Sequence, residues 1–148
     1  MNKKELMSWE SCLKEHIRRV SKDENRAKEL LKMAELRHSF WSENDFNKKC
    51  VSLVVDGYYE VIKELLTAML YLEGLKSDNH ECLISFLKEK YPEWYYEVDI
   101  IYQLKRIRNN ITYRGFFVKP EYLNKNQLEF DHIIKTLKKV IQKKLSQG

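Results

Sequence analysis

Val51-Ser52-Leu53-Val54-Val55-Asp56-Gly57-Tyr58-Tyr59-Glu60-Val61-Ile62-Lys63-Glu64-Leu65-Leu66 decides the fold. It is the middle of an apolar run from Phe46 to Glu73. Cys50, Val51, Val54, Val55, Tyr58, Val61, Ile62, Leu65, Leu66, Met69, Leu70 and Leu72 cover most of the surface of a helix of that length. Only a narrow polar line remains, through Lys49, Ser52, Asp56, Glu60, Lys63 and Thr67. A helix that is apolar on nearly every side must be covered by several neighbours, so this one is expected at the centre of a bundle. Gly57 lies inside it at a cost of about 1 kcal/mol relative to alanine. A close helix crossing there is the expected reason.

The rest of the chain supplies the neighbours. Downstream, Gly74 fits a helix stop, and Ser77-Asp78-Asn79 is a turn that carries a new N-cap. A short helix is predicted from His80 to about Lys90. Pro92 opens the next, which carries Trp94, Val98, Ile101, Leu104, Ile107 and Ile111 and ends near Gly115. Pro120 opens the last, with Phe130, Ile133, Ile134, Leu137, Val140, Ile141 and Leu145 as its stripe. Upstream, Leu6, Trp9, Leu13, Ile17 and Val20 predict a helix from about Lys3 to Val20. Ser21 and Glu24 form a capping box for a second, to about Trp41. Its stripe is Ala27, Leu30, Leu31, Ala34 and Trp41, widened by Met33, Leu36 and Phe40. With four glycines and two prolines in 148 residues, the chain has few places to turn. The expected fold is all-α: an up-and-down bundle of five to six helices with a four-helix core. Residues 1–148 form one domain, in which 1–43 is a helical extension packed on a bundle of 45–146.

Several function classes are excluded by what the chain lacks. There is no apolar stretch long enough to span a membrane and no apolar core behind the basic start, which suggests a cytoplasmic protein. Cys12, Cys50 and Cys82 are odd in number and far apart. They fit neither a disulfide framework nor a zinc spacing, so free buried thiols are expected. His16 and His38 have no close acidic or cysteine partner in the sequence, and no metal site is expected. No phosphate loop, dinucleotide glycine pattern or nucleophile triad occurs, and no cofactor is expected. His80 is expected to cap or pack. The net charge of +5 is compatible with an acidic partner, nucleic acid included. Lys135, Lys138, Lys139, Lys143 and Lys144 make the last helix basic, as a solvated face often is.

Chemistry is expected in Leu104-Lys105-Arg106-Ile107-Arg108-Asn109-Asn110-Ile111-Thr112-Tyr113-Arg114-Gly115. At 100° per residue, Tyr102, Arg106, Asn109 and Tyr113 fall within about 60° of one another, away from the apolar stripe. Arg108 points elsewhere, to the edge of that stripe. An arginine there is expected to be partly buried or at a subunit contact, and it needs acceptors. Asp56 and Glu60 are candidates for that pairing.

Arg108-Asn109, followed by three residues and the aromatic Tyr113, resembles the signature of HEPN domains. That signature is an arginine, usually a polar residue, and a histidine after four to six intervening residues, near the end of a late helix in an all-α bundle. The segment Leu65–His80 is similar to that family's helix, glycine turn and histidine, and the final amphipathic helix has a counterpart. The resemblance covers about Asp45 to Leu145. It implies an RNA-directed protein, either a toxin-like, metal-independent ribonuclease or a weakened descendant. It also implies a homodimer whose Arg-Asn segments approach each other, and a nucleotidyltransferase-type antitoxin as partner. By this likeness Arg108, Asn109 and Tyr113 are the catalytic candidates, and Tyr102, Arg106 and Arg114 the candidates for binding RNA or nucleotide. The alternative is a non-catalytic dimeric binding module. The chain departs from the pattern at Tyr113, which stands where the family has histidine. A phenol with pKa near 10 is only about 0.1% ionised at pH 7, a poor base. It is better suited to donating a hydrogen bond to phosphate or to stacking on a base.

Overall fold

A computed structural model describes residues 5–147. Six helices and one short hairpin-like sheet follow one another: α1 (Trp9–Glu15), β1 (Ile17–Arg19), α2 (Glu24–Glu43), α3 (Val51–Leu72), β2 (Leu75–Ser77), α4 (His80–Lys90), α5 (Tyr95–Arg114) and α6 (Pro120–Gln147). The fold is the expected all-α bundle. α3 is its axis. Val55, Tyr58, Val61, Ile62, Leu65, Leu66, Ala68 and Met69 are all fully buried or nearly so, and α2, α4, α5 and α6 each pack against it. α2 makes the broadest of these interfaces, through Ala27, Leu31 and Ala34. Met33, Leu36 and Phe40, expected to widen that stripe, are exposed.

Local signals set most of the boundaries. α4 runs over the predicted residues. α5 ends at Gly115, whose φ of 63° lies in the left-handed region that a Cβ disfavours. Pro120 opens α6. The caps shift slightly. Asp23 rather than Ser21 caps α2, accepting from the Arg26 N–H at 2.9 Å. Asn79 caps α4, accepting from the Glu81 N–H at 2.8 Å. At Gly57 the crossing element is the Trp41 side chain: a Cβ there would come within 2.1 Å of the indole Nε1. Three helix ends are tied where α3 stops. Glu73 receives Lys90 at 2.7 Å and also Lys144. Its partial burial works against ionisation, but these two ammonium groups outweigh it and hold the carboxyl below its ordinary value.

The N-terminal region departs from expectation. The predicted helix began at Lys3, outside the described residues, and ran to Val20; instead α1 closes at Glu15. Ile17–Arg19 then pairs antiparallel with Leu75–Ser77, Ile17 facing Ser77 and Arg19 facing Leu75. Gly74, at φ 71°, makes the turn into β2 and accepts the Val20 N–H at 2.9 Å. A long-range pairing therefore overrides a local helical period. The cysteine expectation is also corrected. Cys12 and Cys82 form a disulfide with Cα atoms 5.7 Å apart, both fully buried, while Cys50 is free. Their separation of 70 residues concealed the pair. Distance along the chain carries no information about distance in the fold.

Two outcomes follow for stability. Closing a loop of this length restricts the unfolded chain, so reduction, or the Cys12→Ser/Cys82→Ser pair, lowers unfolding free energy by about 2–4 kcal/mol. Urea denaturation with and without a thiol reductant reads this, and coincident curves would refute the cross-link. Gly57→Ala destabilises the parent but stabilises a Trp41→Ala background by up to about 1 kcal/mol, since only helix propensity then remains. The same sign in both backgrounds would remove the indole as the cause.

Candidate functional site

The last turns of α5 meet the polar line of α3. Asp56 and Glu60 are four residues apart, hence on one face, and both turn toward α5. Arg108 lies across them. Its Nε donates to Asp56 Oδ1 at 3.1 Å and its Nη2 to Glu60 Oε1 at 3.2 Å. Its guanidinium carbon sits 5.4 Å from the centre of the Tyr59 ring. Lys63 reaches Glu60 Oε2 at 2.9 Å. The Arg108 side chain is only 16% exposed, as its place at the edge of the stripe suggested. Burial alone would lower its pKa. The hydrogen bond that it donates to Asp56 and the charges of Glu60 and Asp56 outweigh that, so the net shift is upward and the group stays charged.

Arg108 opens on a hollow of about 290 Å³ whose lining includes Asp78, His80, Lys105, Asn109 and Tyr113. The Nη1 contact is weak, 3.5 Å to Asn109 Oδ1. Two of the guanidinium's three nitrogens are thus committed to carboxylates, and the third is held at the limit of a hydrogen bond. Tyr113 is 75% exposed at the rim. It comes close enough to Tyr59 to perturb it, and burial above all raises the Tyr59 phenol.

The structure divides the six candidates. Arg108, Asn109 and Tyr113 share the hollow. Tyr102 and Arg106 line a separate, larger groove of about 810 Å³, with Leu6, Lys88, Tyr95 and Gln103. Arg114 lines neither and is exposed at the helix end. Angle alone grouped Tyr102 with Tyr113, but eleven residues separate them, roughly 16 Å along the axis. The groove is the larger, but the hollow is where ionisable groups converge on a partly buried cation, the arrangement that perturbs acid–base chemistry.

His80 was not expected to belong here. It is the first residue of α4, and α4 packs against α5, which brings it beside Lys105 and Arg108. Its pKa is lowered. Partial burial is the largest cause, although the residue is exposed overall; Lys63, Arg108 and Lys105 add to it, and Glu60 opposes them. The imidazole is therefore neutral at pH 7 and has one nitrogen able to accept a proton. No signal along the chain links His80 to Arg108; only the packing of α4 on α5 does.

Two other histidines gain acidic partners that the sequence did not suggest. His16 Nδ1 lies 2.7 Å from Asp78 Oδ1, and His38 Nε2 lies 2.7 Å from Asp131 Oδ1. Tyr58 also donates to Asp131, at 2.9 Å, and Gln127 donates to the Tyr58 hydroxyl. These pairs join α2 to α6 and the end of α1 to the turn before α4. Among the described residues, no three or more His, Cys, Asp or Glu side chains converge as a metal site would require. No helix among them is long and apolar enough to cross a membrane. No protein-family model matches the chain, and neither does any curated protein or solved structure.

Removing the Arg108 charge leaves Asp56 and Glu60 facing each other without their shared counter-charge. Arg108→Leu is expected to destabilise the fold by about 1–3 kcal/mol, less than for a fully buried pair because Asp56 is partly solvated. Adding Asp56→Asn recovers part of that loss. Denaturation of the two variants and the parent measures it, and strict additivity would exclude the coupling.

Proposed function

We propose that this chain is a HEPN-type, RNA-directed protein whose Arg108 hollow receives a ribose phosphate. In this reading it is a toxin-like, metal-independent ribonuclease or a weakened descendant of one. The supporting observation is the clamp on Arg108. Asp56 and Glu60 fix the plane of a partly buried guanidinium. Nη1 is left as the donor that a phosphate oxygen would meet, with Asn109 and Lys105 beside it. An arginine held in place before the ligand arrives loses little further freedom on binding. The likeness over Asp45–Leu145 supplies the class. Cytoplasmic placement and a nucleotidyltransferase-type antitoxin belong to the same proposal. Because cytoplasmic thiols are kept reduced, assays are to be run with and without a reductant.

The electrostatics favour a short contact with RNA rather than a long track. Lys63, Lys105 and Arg108 are matched at the site by Asp56, Glu60, Asp78 and Glu81. Such a site neutralises one or two phosphates, so the slope of log affinity against log salt is expected to be roughly −1.

A second reading, a non-catalytic dimeric module, has its own support. Tyr113, Phe116 and Phe117 form an exposed aromatic run at the end of α5, Phe117 being 78% exposed. The Val118 N–H, bonded to Ser52 Oγ at 2.8 Å, ties that run to the start of α3. A homodimer that brings the Arg108–Asn109 segments together would cover these rings.

The readings separate in one set of assays. Parent, Arg108→Lys and Tyr113→His are incubated with structured and unstructured RNA in EDTA. The ribonuclease reading expects cleavage by the parent, a loss of about 10²-fold in Arg108→Lys and no loss in Tyr113→His. Binding without cleavage supports the module. Absence of both at low salt defeats the RNA reading, and a light-scattering mass near 17.9 kDa defeats the dimer.

A further inference from the structure

We propose that His80 is the general base of the Arg108 hollow, supplied by the start of α4 in place of the side chain that Tyr113 cannot replace. The inference rests on the ribonuclease reading above and names the residue that would make it work. The requirement is chemical. Cleavage without a metal needs a group that takes the proton from the ribose 2′-hydroxyl as its oxygen attacks the adjacent phosphorus. The new 2′-O–P bond forms, the P–O5′ bond breaks, and the products are a 2′,3′-cyclic phosphate and a 5′-hydroxyl. The 2′-hydroxyl proton passes to the imidazole and then to solvent, and the departing 5′-oxygen takes a proton from water. Arg108 stabilises the added charge on the phosphoryl oxygens.

Three features suit His80 to this task. It lines the same hollow as Arg108, Lys105, Asn109 and Tyr113. It is neutral at pH 7, because partial burial and the cations around it resist its protonation. The groups facing it are Lys63 and Glu60 from α3, Lys105 and Arg108 from α5, and Asp78 and Glu81 beside it in the chain. Most significantly, the turn that carries it is braced. The Asp78 N–H donates to the His16 carbonyl at 3.1 Å, and the two side chains meet at 2.7 Å. Glu81 accepts the Met7 N–H at 2.7 Å. Cys82 is cross-linked to Cys12, and Ser85 donates to the Met7 carbonyl. Residues 78, 81, 82 and 85 are thus held by residues 7, 12 and 16, on both sides of His80. A histidine that only capped a helix would not need this, because Asn79 already caps α4.

The test uses the full chain, a short RNA and its 2′-deoxy counterpart, in EDTA. The parent is expected to give cyclic-phosphate ends from RNA and nothing from the deoxy strand. His80→Gln is expected to lose about 10²–10⁴-fold in rate while RNA affinity and thermal unfolding stay near those of the parent. The rate should fall as pH drops, with a midpoint below the ordinary histidine value of 6.5. Lys63→Met should move that midpoint upward, because a cation that resists protonation is gone. A purely structural role would not shift the profile. If the parent cleaves and His80→Gln stays within threefold, the assignment of His80 falls and the ribonuclease reading stands. If the parent binds RNA through Arg108 but does not cut it, His80 is no base and the non-catalytic module remains. If it neither binds nor cuts, both fall together.

Discussion

The structure depends on burying α3 on nearly all sides while two carboxylates, Asp56 and Glu60, ride on it. A helix so apolar can be covered only by several helices at once, and α2, α4, α5 and α6 do so. The carboxylates then set a condition on the helix that covers their side. Whichever residue crosses them must bring a positive charge into a partly buried seam, because two anions one turn apart repel and lose solvation. Arg108 meets the condition with a fork-shaped group that reaches both acids and lies against Tyr59. Lysine, with a single charged nitrogen, would reach one acid well and the other poorly. The packing of the bundle and the fixed plane of a functional cation thus have one cause.

The N-terminal segment extends this logic to α4. Among the described residues before Glu24, the contacts with the central core are those of Leu6, Trp9 and Ile17. The segment's polar and covalent contacts instead concentrate on the turn from β2 into α4: a β-ladder at 75–77, the His16 ring on the Asp78 carboxylate, the Met7 N–H donated to Glu81 and a disulfide at Cys82. A turn at the surface would ordinarily be among the first parts of a bundle to open. Here it is held from outside, and it is the turn that faces Arg108.

What could be read along the chain, and what could not, follows from the range of each interaction. α3, α4, α5 and α6 were legible because period, proline and glycine are local signals: Gly115 stops α5 and Pro120 starts α6 by backbone geometry alone. The place of Arg108 at the edge of the stripe was legible for the same reason, whereas Asp56 and Glu60 were no more than candidates for its acids, since they meet it across 52 and 48 residues of chain. The β1–β2 ladder, the Cys12–Cys82 bond and the arrival of His80 in the hollow were not legible. Each joins residues that nothing nearby in sequence marks as partners. The grouping of Tyr102 with Tyr113 failed for another reason. A helical wheel collapses the axis, and two residues on one face can still line different cavities.

The ties on the His80 turn differ in kind, and that determines when each gives way. The disulfide is lost to a reductant, but both sulfurs are fully buried, so a thiol must wait for the segment to open before it can attack. The His16–Asp78 contact lies at the surface, with Asp78 largely exposed, so water competes for it. The Met7 N–H donated to Glu81 and the Ser85 hydroxyl donated to the Met7 carbonyl do not depend on the redox state of the cysteines. Under reducing conditions the turn would lose its covalent tie and keep its hydrogen bonds, becoming looser without being released. A brace made of unlike parts has no single solution condition that removes all of them. The geometry facing Arg108 should therefore persist across environments in which any one tie alone would fail.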